Sequence, residues 1–377
     1  MKIIKIKRCI ELMTDINKSN KDDIKTISKE HLYDWLEQLA KAQKIAIYGP
    51  VSRGDYSEFA RLRKISDLDL SIRNTTLSAK GVLLPQTKSL LKFDLKKDAP
   101  EIESALGAEP GNVGDADKNN IQQKMVLGIR PCDVHGIMAL DPTFDSEFKD
   151  PYYLFERKRT ILVGLACNEP DVNCFCTSLG SGPHDGSGMD ILLTDIGSSY
   201  MVNIYTETGK KLIKSGPEPK PELFETPTDE QYRSRDNAQR DAENRFLRKM
   251  ATGGKPELLA ERFESDYWED IARKCLGCGI CTYICPTCYC FDITDEKWGT
   301  KGERVFTWDS CMYPEYTVHA SGHNPRPARK HRLRNRVYHK FKYYPELHNI
   351  FGCTGCGRCI RSCPVNIDII DIINGIK

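Results

Sequence analysis

Several signatures of common protein classes are missing from this sequence. Its 377 residues hold no apolar run close to the ~20 residues that span a bilayer. The first 18 residues have no continuous apolar stretch after their basic residues, so they do not resemble a signal peptide. We therefore expect a cytoplasmic protein with no membrane association.

An excess of charge of one sign is also missing. The 55 basic residues are balanced by 53 acidic residues, for a net charge of +2. A protein that binds nucleic acid through its overall charge would be much more basic, so we do not expect a nucleic-acid partner on this ground.

The common catalytic fingerprints are missing as well. Several glycines lie at 180–188, but they do not follow the G-x-G-x-x-G order after a strand. No Ser/His/Asp pattern or nucleophile elbow occurs. The sequence therefore predicts no independent active site in this chain.

Cysteine is abundant by contrast, with 16 residues. Structural disulfides are rare in a reducing cytosol, so metal ligation is the use that this number favours. The arrangement of the cysteines then becomes the main question.

The N-terminal half predicts an α/β domain with a partly parallel sheet. Residues 28–43 place apolar side chains at helical spacing, and a short buried strand at 44–48 is expected to stop at Gly49-Pro50. Further strands are predicted at 191–193 and 200–205, the second followed by a turn at Thr208-Gly209.

Two continuous apolar runs are typical of strands buried on both faces of a parallel sheet. They lie at 126–129 and 161–166, with room for a crossover helix between them. Cys132 and Cys167 follow these runs directly. Since ligands bind beyond the carboxyl ends of parallel strands, these two cysteines are candidate site residues.

The C-terminal third contains one cysteine motif twice. Each copy reads C-x2-C-x2-C-x3-C-P, which is the pattern of bacterial ferredoxins that hold two [4Fe–4S] clusters. In that pattern the fourth cysteine ligates the other cluster. The predicted ligands of cluster 1 are Cys275, Cys278, Cys281 and Cys363, and those of cluster 2 are Cys353, Cys356, Cys359 and Cys285.

A pair of zinc sites is the alternative for these motifs. Structural zinc is usually held by two pairs of ligands in a tetrahedral cage. Zinc does not require three cysteines at this spacing with a fourth before proline, repeated in the same chain, so the motifs favour iron–sulfur clusters.

A further group of four cysteines is a candidate for a third [4Fe–4S] cluster. It consists of Cys132, Cys167, Cys174 and Cys176. Their spacing follows no simple rule, so buried unligated cysteines or a structural zinc site stay open as alternatives.

The composition and motifs divide the chain into three predicted parts. Residues 1–213 form the α/β domain with the candidate third site, and 214–260, which begins with a stretch rich in Pro, Glu and Lys, is a linker and helical excursion. Residues 261–377 form a helical two-cluster ferredoxin-like domain with an insertion at 291–350. The fold class is thus α+β or α/β.

An ordered series of motifs resembles a known family. The series includes Ile129-Arg130-Pro131-Cys132-Asp133, Asn173-Cys174-Phe175-Cys176, Cys285-Pro286-Thr287-Cys288 and Gly352-Cys353-Thr354-Gly355-Cys356-Gly357-Arg358-Cys359. This is similar to the 4Fe–4S dicluster subunits of three enzymes: anaerobic sulfite reductase, soluble NiFe sulfhydrogenase (its β subunit) and flavin oxidoreductases coupled to heterodisulfide reductase.

The resemblance implies an electron relay with three clusters. Its partners would be a flavin and [2Fe–2S] subunit that takes hydride from NAD(P)H, and a catalytic subunit of the hydrogenase, heterodisulfide reductase or sulfite reductase type. The resemblance also favours the third cluster, because all four of its cysteines occur here in family order.

Two features lie outside this scheme. Cys288, Cys290 and Cys311 are assigned packing roles, and the basic stretch at 326–342 is expected either to offset cluster charge and dock an acidic partner or to form a solvated helix face. A flavoprotein with its own FAD and a cluster-bearing regulator that binds nucleic acid through 326–342 are the alternative functions.

Overall fold

The computed structural model describes residues 23–42, 45–96, 101–104, 122–215 and 223–376. Cys9 lies outside these ranges, as do the first residue of the strand predicted at 44–48 and the last of the helix predicted at 28–43.

Eleven strands are present in the described residues. They are β1 Ile24–Ser28, β2 Ile45–Ser52, β3 Ser57–Arg61, β4 Thr87–Asp94, β5 Glu101–Ser104, β6 Gln123–Ile129, β7 Thr160–Leu165, β8 Ile191–Asp195, β9 Ser199–Ile204, β10 Phe291–Trp298 and β11 Lys301–Trp308.

The α-helices are mostly short. They are α1 Lys29–Lys41, α2 Lys80–Leu83, α3 Pro131–Phe144, α4 Pro151–Lys158, α5 Glu207–Ile213, α6 Asp229–Asn244, α7 Lys255–Glu261, α8 Tyr267–Ala272, α9 Ile280–Tyr283, α10 Arg329–Tyr338, α11 Tyr344–His348, α12 Arg358–Arg361 and α13 Ile369–Gly375. A π-helical turn at His339–Tyr343 joins α10 to α11.

A seven-stranded mixed sheet forms the centre of the N-terminal part. Its order is β1-β9-β8-β7-β6-β2-β3, and the four inner strands β8, β7, β6 and β2 run parallel. Apolar side chains cover both faces, with α1 on one and α3 on the other. The α+β fold class is therefore confirmed, with the partly parallel sheet that the two apolar runs predicted.

The helix predicted from the first amphipathic pattern is confirmed as α1. Ser28 is its N-cap, and its hydroxyl accepts a hydrogen bond from the His31 backbone N–H at 3.0 Å. Leu32 and Leu36 are completely buried against the sheet.

Two boundary predictions were wrong. Strand β2 continues through Gly49-Pro50 to Ser52, because its pairing with β6 ends at Tyr48 and the missing N–H of Pro50 falls beyond that ladder. The turn predicted at Thr208-Gly209 is instead part of α5. Thr206 caps that helix, and Gly209 packs so closely that an added Cβ would lie 2.6 Å from the Asp190 carbonyl oxygen.

A second sheet connects the two halves of the chain. Its order is β10-β11-β4-β5 and all its pairs are antiparallel, so the hairpin β10–β11 from the predicted insertion at 291–350 pairs with β4. The division at 213/214 and 260/261 stays a prediction, and the halves it separates share this sheet.

The C-terminal helices enclose a third apolar core. Trp268, Tyr338 and Phe341 are almost completely buried there, together with isoleucines of α13. Phe175 from the N-terminal part is buried in the same core, so the segment that carries Cys174 and Cys176 reaches into the C-terminal part.

Candidate functional site

The first copy of the cysteine motif forms a tight loop followed by α9. Gly277 and Gly279 have φ of 71° and 75°, a backbone conformation that glycine adopts without strain. The loop turns an N–H towards sulfur, since Gly277 donates to Cys275 Sγ at 3.4 Å. The second copy repeats the loop before α12, with φ of 67° at Gly355 and 72° at Gly357.

Three cavities are each lined by one predicted quartet of cysteines. We define site 1 by Cys275, Cys278, Cys281 and Cys363; site 2 by Cys285, Cys353, Cys356 and Cys359; and site 3 by Cys132, Cys167, Cys174 and Cys176. The structure thus brings together the members of every quartet. Iron ligation by these residues stays a prediction.

The exchange of the fourth cysteine between motifs is visible in these cavities. Cys363 from the second motif lies with the first three cysteines of the first motif, and Cys285 lies with the second motif. This is the crosswise arrangement that a two-cluster ferredoxin pattern requires. The backbone N–H of Ile367 donates to Cys363 Sγ at 3.2 Å, which favours a thiolate at that position.

Site 3 is built at the carboxyl edge of the parallel sheet. Cys132 lies in the first turn of α3, directly after β6, and Cys167 follows β7. Cys174 and Cys176 come from the loop after β7, which folds back over the same edge. The rule that ligands bind beyond parallel strand ends therefore locates this cavity.

The three sites share their walls. Cys356 lines both site 3 and site 2, and Cys359 lines both site 2 and site 1. The Phe175 N–H donates to the Gly355 carbonyl at 2.8 Å. The sites therefore form one row, with site 2 in the middle.

Burial makes most of these thiols difficult to ionise without a bound cation. It raises the pKa of Cys353 to about 12, of Cys359 to about 11 and of Cys174 to about 12. Cluster ligands must be thiolates, so a positively charged iron–sulfur core would release protons from these residues on binding.

Cys285 differs from the other ligands in this respect. A hydrogen bond with the Cys288 thiol, with help from the Lys340 ammonium, holds the pKa of Cys285 well below its usual range despite burial. Lys340 Nζ lies 3.3 Å from Cys285 Sγ. The Lys340 ammonium thus favours the thiolate form of Cys285, which is the form that ligates iron.

Basic side chains next to the cysteines were not among the site residues predicted from the sequence. Arg130 lines site 3, Lys340 lines site 2, and Arg336 lines sites 1 and 2. Arg358 lines site 2 and makes a bidentate ion pair with Asp133 at 2.6 and 2.7 Å. The sequence does contain a signal for two of them, because Arg130 and Arg358 each lie within two residues of a predicted ligand.

The basic stretch at 326–342 is solvated only in part: Arg329 is exposed and the Lys330 side chain is 42% exposed, whereas three other basic residues are buried. Arg332, Arg336 and Lys340 point into the protein and are at most 6% exposed. Of the two interpretations, the structure favours an offset of cluster charge for these three residues. Their burial also removes them from any phosphate backbone, which weakens the nucleic-acid alternative.

The three remaining cysteines of the described chain lie beside site 2. Cys288 contacts Cys285, and Cys290 contacts Cys311. A hydrogen bond with the Cys311 thiol lowers the pKa of Cys290 to about 6. Packing roles for all three stay a prediction.

The donor chemistry fits [4Fe–4S] clusters. Each site offers four cysteine sulfurs and has at least one basic side chain in its wall, and at site 1 backbone N–H groups donate to Cys275 and Cys363. Among the described residues, no three histidine, cysteine, aspartate or glutamate side chains are close enough to hold a single metal ion. No described helix has the length and apolarity to cross a bilayer.

Comparisons with known proteins agree with this chemistry. Residues 274–367 match the family model of the 4Fe-4S dicluster domain. Sulfhydrogenase 2 subunit beta of Pyrococcus furiosus is 31% identical over 354 residues, which cover 93% of this chain and 97% of that protein. The resemblance drawn from the motifs is confirmed: the chain belongs to the family of 4Fe–4S dicluster subunits that includes this sulfhydrogenase subunit.

Proposed function

We propose that this chain is the electron relay of a cytoplasmic multisubunit oxidoreductase. It would connect a flavin and [2Fe–2S] subunit that oxidises or reduces NAD(P)H to a catalytic subunit of the hydrogenase type. The similarity to a sulfhydrogenase subunit supports this type of partner over the heterodisulfide or sulfite reductase types. Bound clusters would each accept and release one electron at a time.

The continuous row of three cysteine sites carries the proposal. Cys356 belongs to the walls of sites 3 and 2, and Cys359 belongs to the walls of sites 2 and 1, so each site directly adjoins the next. A protein that only needed metal for stability would have no reason to align three such sites. The row instead provides a path across the chain.

The two ends of the row are the natural contact points for partners. At site 1, Cys278 is exposed and the neighbouring Leu276 is 60% exposed. At site 3, Arg73 lines the cavity with its side chain 60% exposed. Site 2 is enclosed by Phe175, Arg358 and Lys340, which are at most 3% exposed.

Iron analysis of the anaerobically purified native assembly tests the metal content. Three sites predict ~12 irons per chain, whereas ~8 irons would mean that site 3 is not a cluster site. The double variant Cys174→Ser/Cys176→Ser should lose about four irons and retain the others. Cys290→Ser is the matched control, because Cys290 belongs to no quartet, and it should keep the full content.

The same preparation tests the partners. Mass spectrometry should identify a flavin-binding chain and a hydrogenase-type catalytic chain. Fewer than about four irons with stoichiometric zinc would overturn the cluster assignment. An isolated chain that carries its own flavin would instead support the flavoprotein alternative.

A further inference from the structure

A single helical segment carries three buried cations towards the cysteine sites. Helix α10 and the π-helical turn after it place Arg332, Arg336 and Lys340 four residues apart, so that all three face the interior. Their exposures are 6%, 3% and 3%. A buried cation destabilises the folded protein unless the protein supplies hydrogen bonds or an opposite charge.

Two of these cations have their partners in the protein. Arg332 donates to the carbonyl oxygens of Met312, Arg326 and Pro327 at 2.9, 2.9 and 2.7 Å. Lys340 donates to Thr287 Oγ1, to the Gly352 carbonyl and to Cys285 Sγ, at 2.9, 2.8 and 3.3 Å. The burial of these two side chains therefore has an explanation.

Arg336 lacks such partners among the residues that the structure describes. Its Nε and Nη2 are buried and have no hydrogen-bond acceptor among the described residues. Within the same described ranges no carboxylate lies within 4.0 Å of it, whereas exposed arginines such as Arg304 have one. Natural proteins rarely leave two buried donors of one guanidinium unsatisfied, so a missing anionic partner is indicated.

The position of Arg336 identifies that partner. Its side chain lines both site 1 and site 2, between the two quartets of cysteines. Cys281 belongs to the wall of site 1, and Cys359 belongs to the walls of both sites. The unpaired Nε and Nη2 of Arg336 therefore lie between cysteines of two different sites, whose sulfurs would carry negative charge as cluster ligands.

We propose that Arg336 is a shared counter-charge for the clusters of sites 1 and 2, to whose sulfur atoms its free N–H groups donate. This inference rests on the proposed relay function. A cation between two sites stabilises the more negative, reduced state of each, so Arg336 raises the reduction potential of both.

Lys340 provides an internal comparison, because in the described part of the chain it lines site 2 and neither of the other two sites. Arg336→Met should shift the potentials of sites 1 and 2 to more negative values, whereas Lys340→Met should shift mainly that of site 2. Arg336→Lys keeps a charge with fewer donors and should restore most of the shift. Lys330→Gln, at an exposed position of the same helix paired with Glu269, should shift neither.

A redox titration followed by electron paramagnetic resonance measures these potentials directly. It is done on the anaerobic full-length chain in its complex, with iron content measured on the same samples. Shifts at both sites in Arg336→Met that Arg336→Lys reverses support the inference. Loss of iron from both sites in Arg336→Met with recovery in Arg336→Lys supports it as well.

Two results would overturn the inference. One is a wild-type potential at both sites in Arg336→Met. The other is equal behaviour of the Met and Lys variants, because charge would then not be the property that matters. Neither result touches the proposed function, which fails only if the wild-type chain itself shows no iron–sulfur signals after reduction.

Discussion

At the scale of single residues, buried charged side chains connect the loops that carry the cysteines. Arg358 shows this most clearly, because it lies between Cys356 and Cys359 and is completely buried. Its guanidinium pairs with Asp133, the residue after Cys132, and also donates to the Thr75 carbonyl at 2.7 Å. One ion pair therefore connects the ligand loops of sites 2 and 3.

Replacement of Arg358 by methionine should destabilise the protein strongly. It would leave the Asp133 carboxylate buried without a partner, which costs about 3–5 kcal/mol. The measurement is the change in unfolding free energy from chemical denaturation of samples with equal iron content. Arg361→Met is the control, since its ion pair with Asp171 is partly exposed and is worth less than about 1 kcal/mol. Equal stability of the two variants would contradict this role of the pair.

Among the secondary-structure elements, those with a strong local pattern could be predicted and those that depend on distant contacts could not. The apolar runs of β6 and β7 predicted the parallel sheet and put Cys132 and Cys167 at one edge. The repeated cysteine spacing predicted both ferredoxin loops. The strand end predicted at Gly49-Pro50 and the turn predicted at Thr208-Gly209 were wrong, because glycine was interpreted as a turn residue. In the structure, Gly49 and Gly209 instead allow close packing within a strand and a helix.

The buried row of Arg332, Arg336 and Lys340 could not be identified from sequence alone. Its spacing of four residues fits an exposed basic face equally well, and only the position of the cysteine sites shows which way the helix turns. The pairing of β11 with β4 is similar, since these strands lie more than 200 residues apart. Local patterns contain no information on such pairs.

The contact between the two cysteine loops depends on Gly355. It has a φ of 67°, and a Cβ added there would lie 2.5 Å from the Cys176 backbone nitrogen. Alanine in this conformation costs about 1–2 kcal/mol before the collision is counted.

Gly355→Ala should therefore lower stability by at least that amount and push the loop of Cys174 and Cys176 away from site 2. Iron retained after gel filtration and the thermal unfolding midpoint measure the two effects. Gly253→Ala is the matched control, because nothing lies within 4 Å of its added Cβ. An iron content and midpoint equal to those of the control would refute the proposed close contact.

At the scale of the whole molecule, the row of sites joins two parts with different folds. The sheet edge supplies site 3, and the ferredoxin loops supply sites 1 and 2. The shared sheet β10-β11-β4-β5 and the Arg358–Asp133 pair hold these parts together. Rigid attachment matters for an electron relay, because the distances between its clusters have to stay constant.

The middle position of site 2 leads to the most demanding prediction. The double variant Cys285→Ser/Cys353→Ser removes two predicted ligands of site 2, while sites 1 and 3 keep all their cysteines. The cluster that would carry electrons between sites 1 and 3 is then lost. After NAD(P)H is added to the anaerobic complex, freeze-quench electron paramagnetic resonance should show a reduced cluster at site 1 or at site 3, but not at both. Dithionite, which reaches each end from solvent, should still reduce both.

Cys278→Ser is the comparison, because it removes an exposed ligand at the end of the row. Sites 2 and 3 should then respond together, both reduced or both left oxidised by NAD(P)H, whichever end of the row receives the electrons. If NAD(P)H still reduces both ends of the double variant as fast as in the wild type, electrons must reach sites 1 and 3 by separate routes. The shared walls at Cys356 and Cys359 would then be a consequence of packing alone.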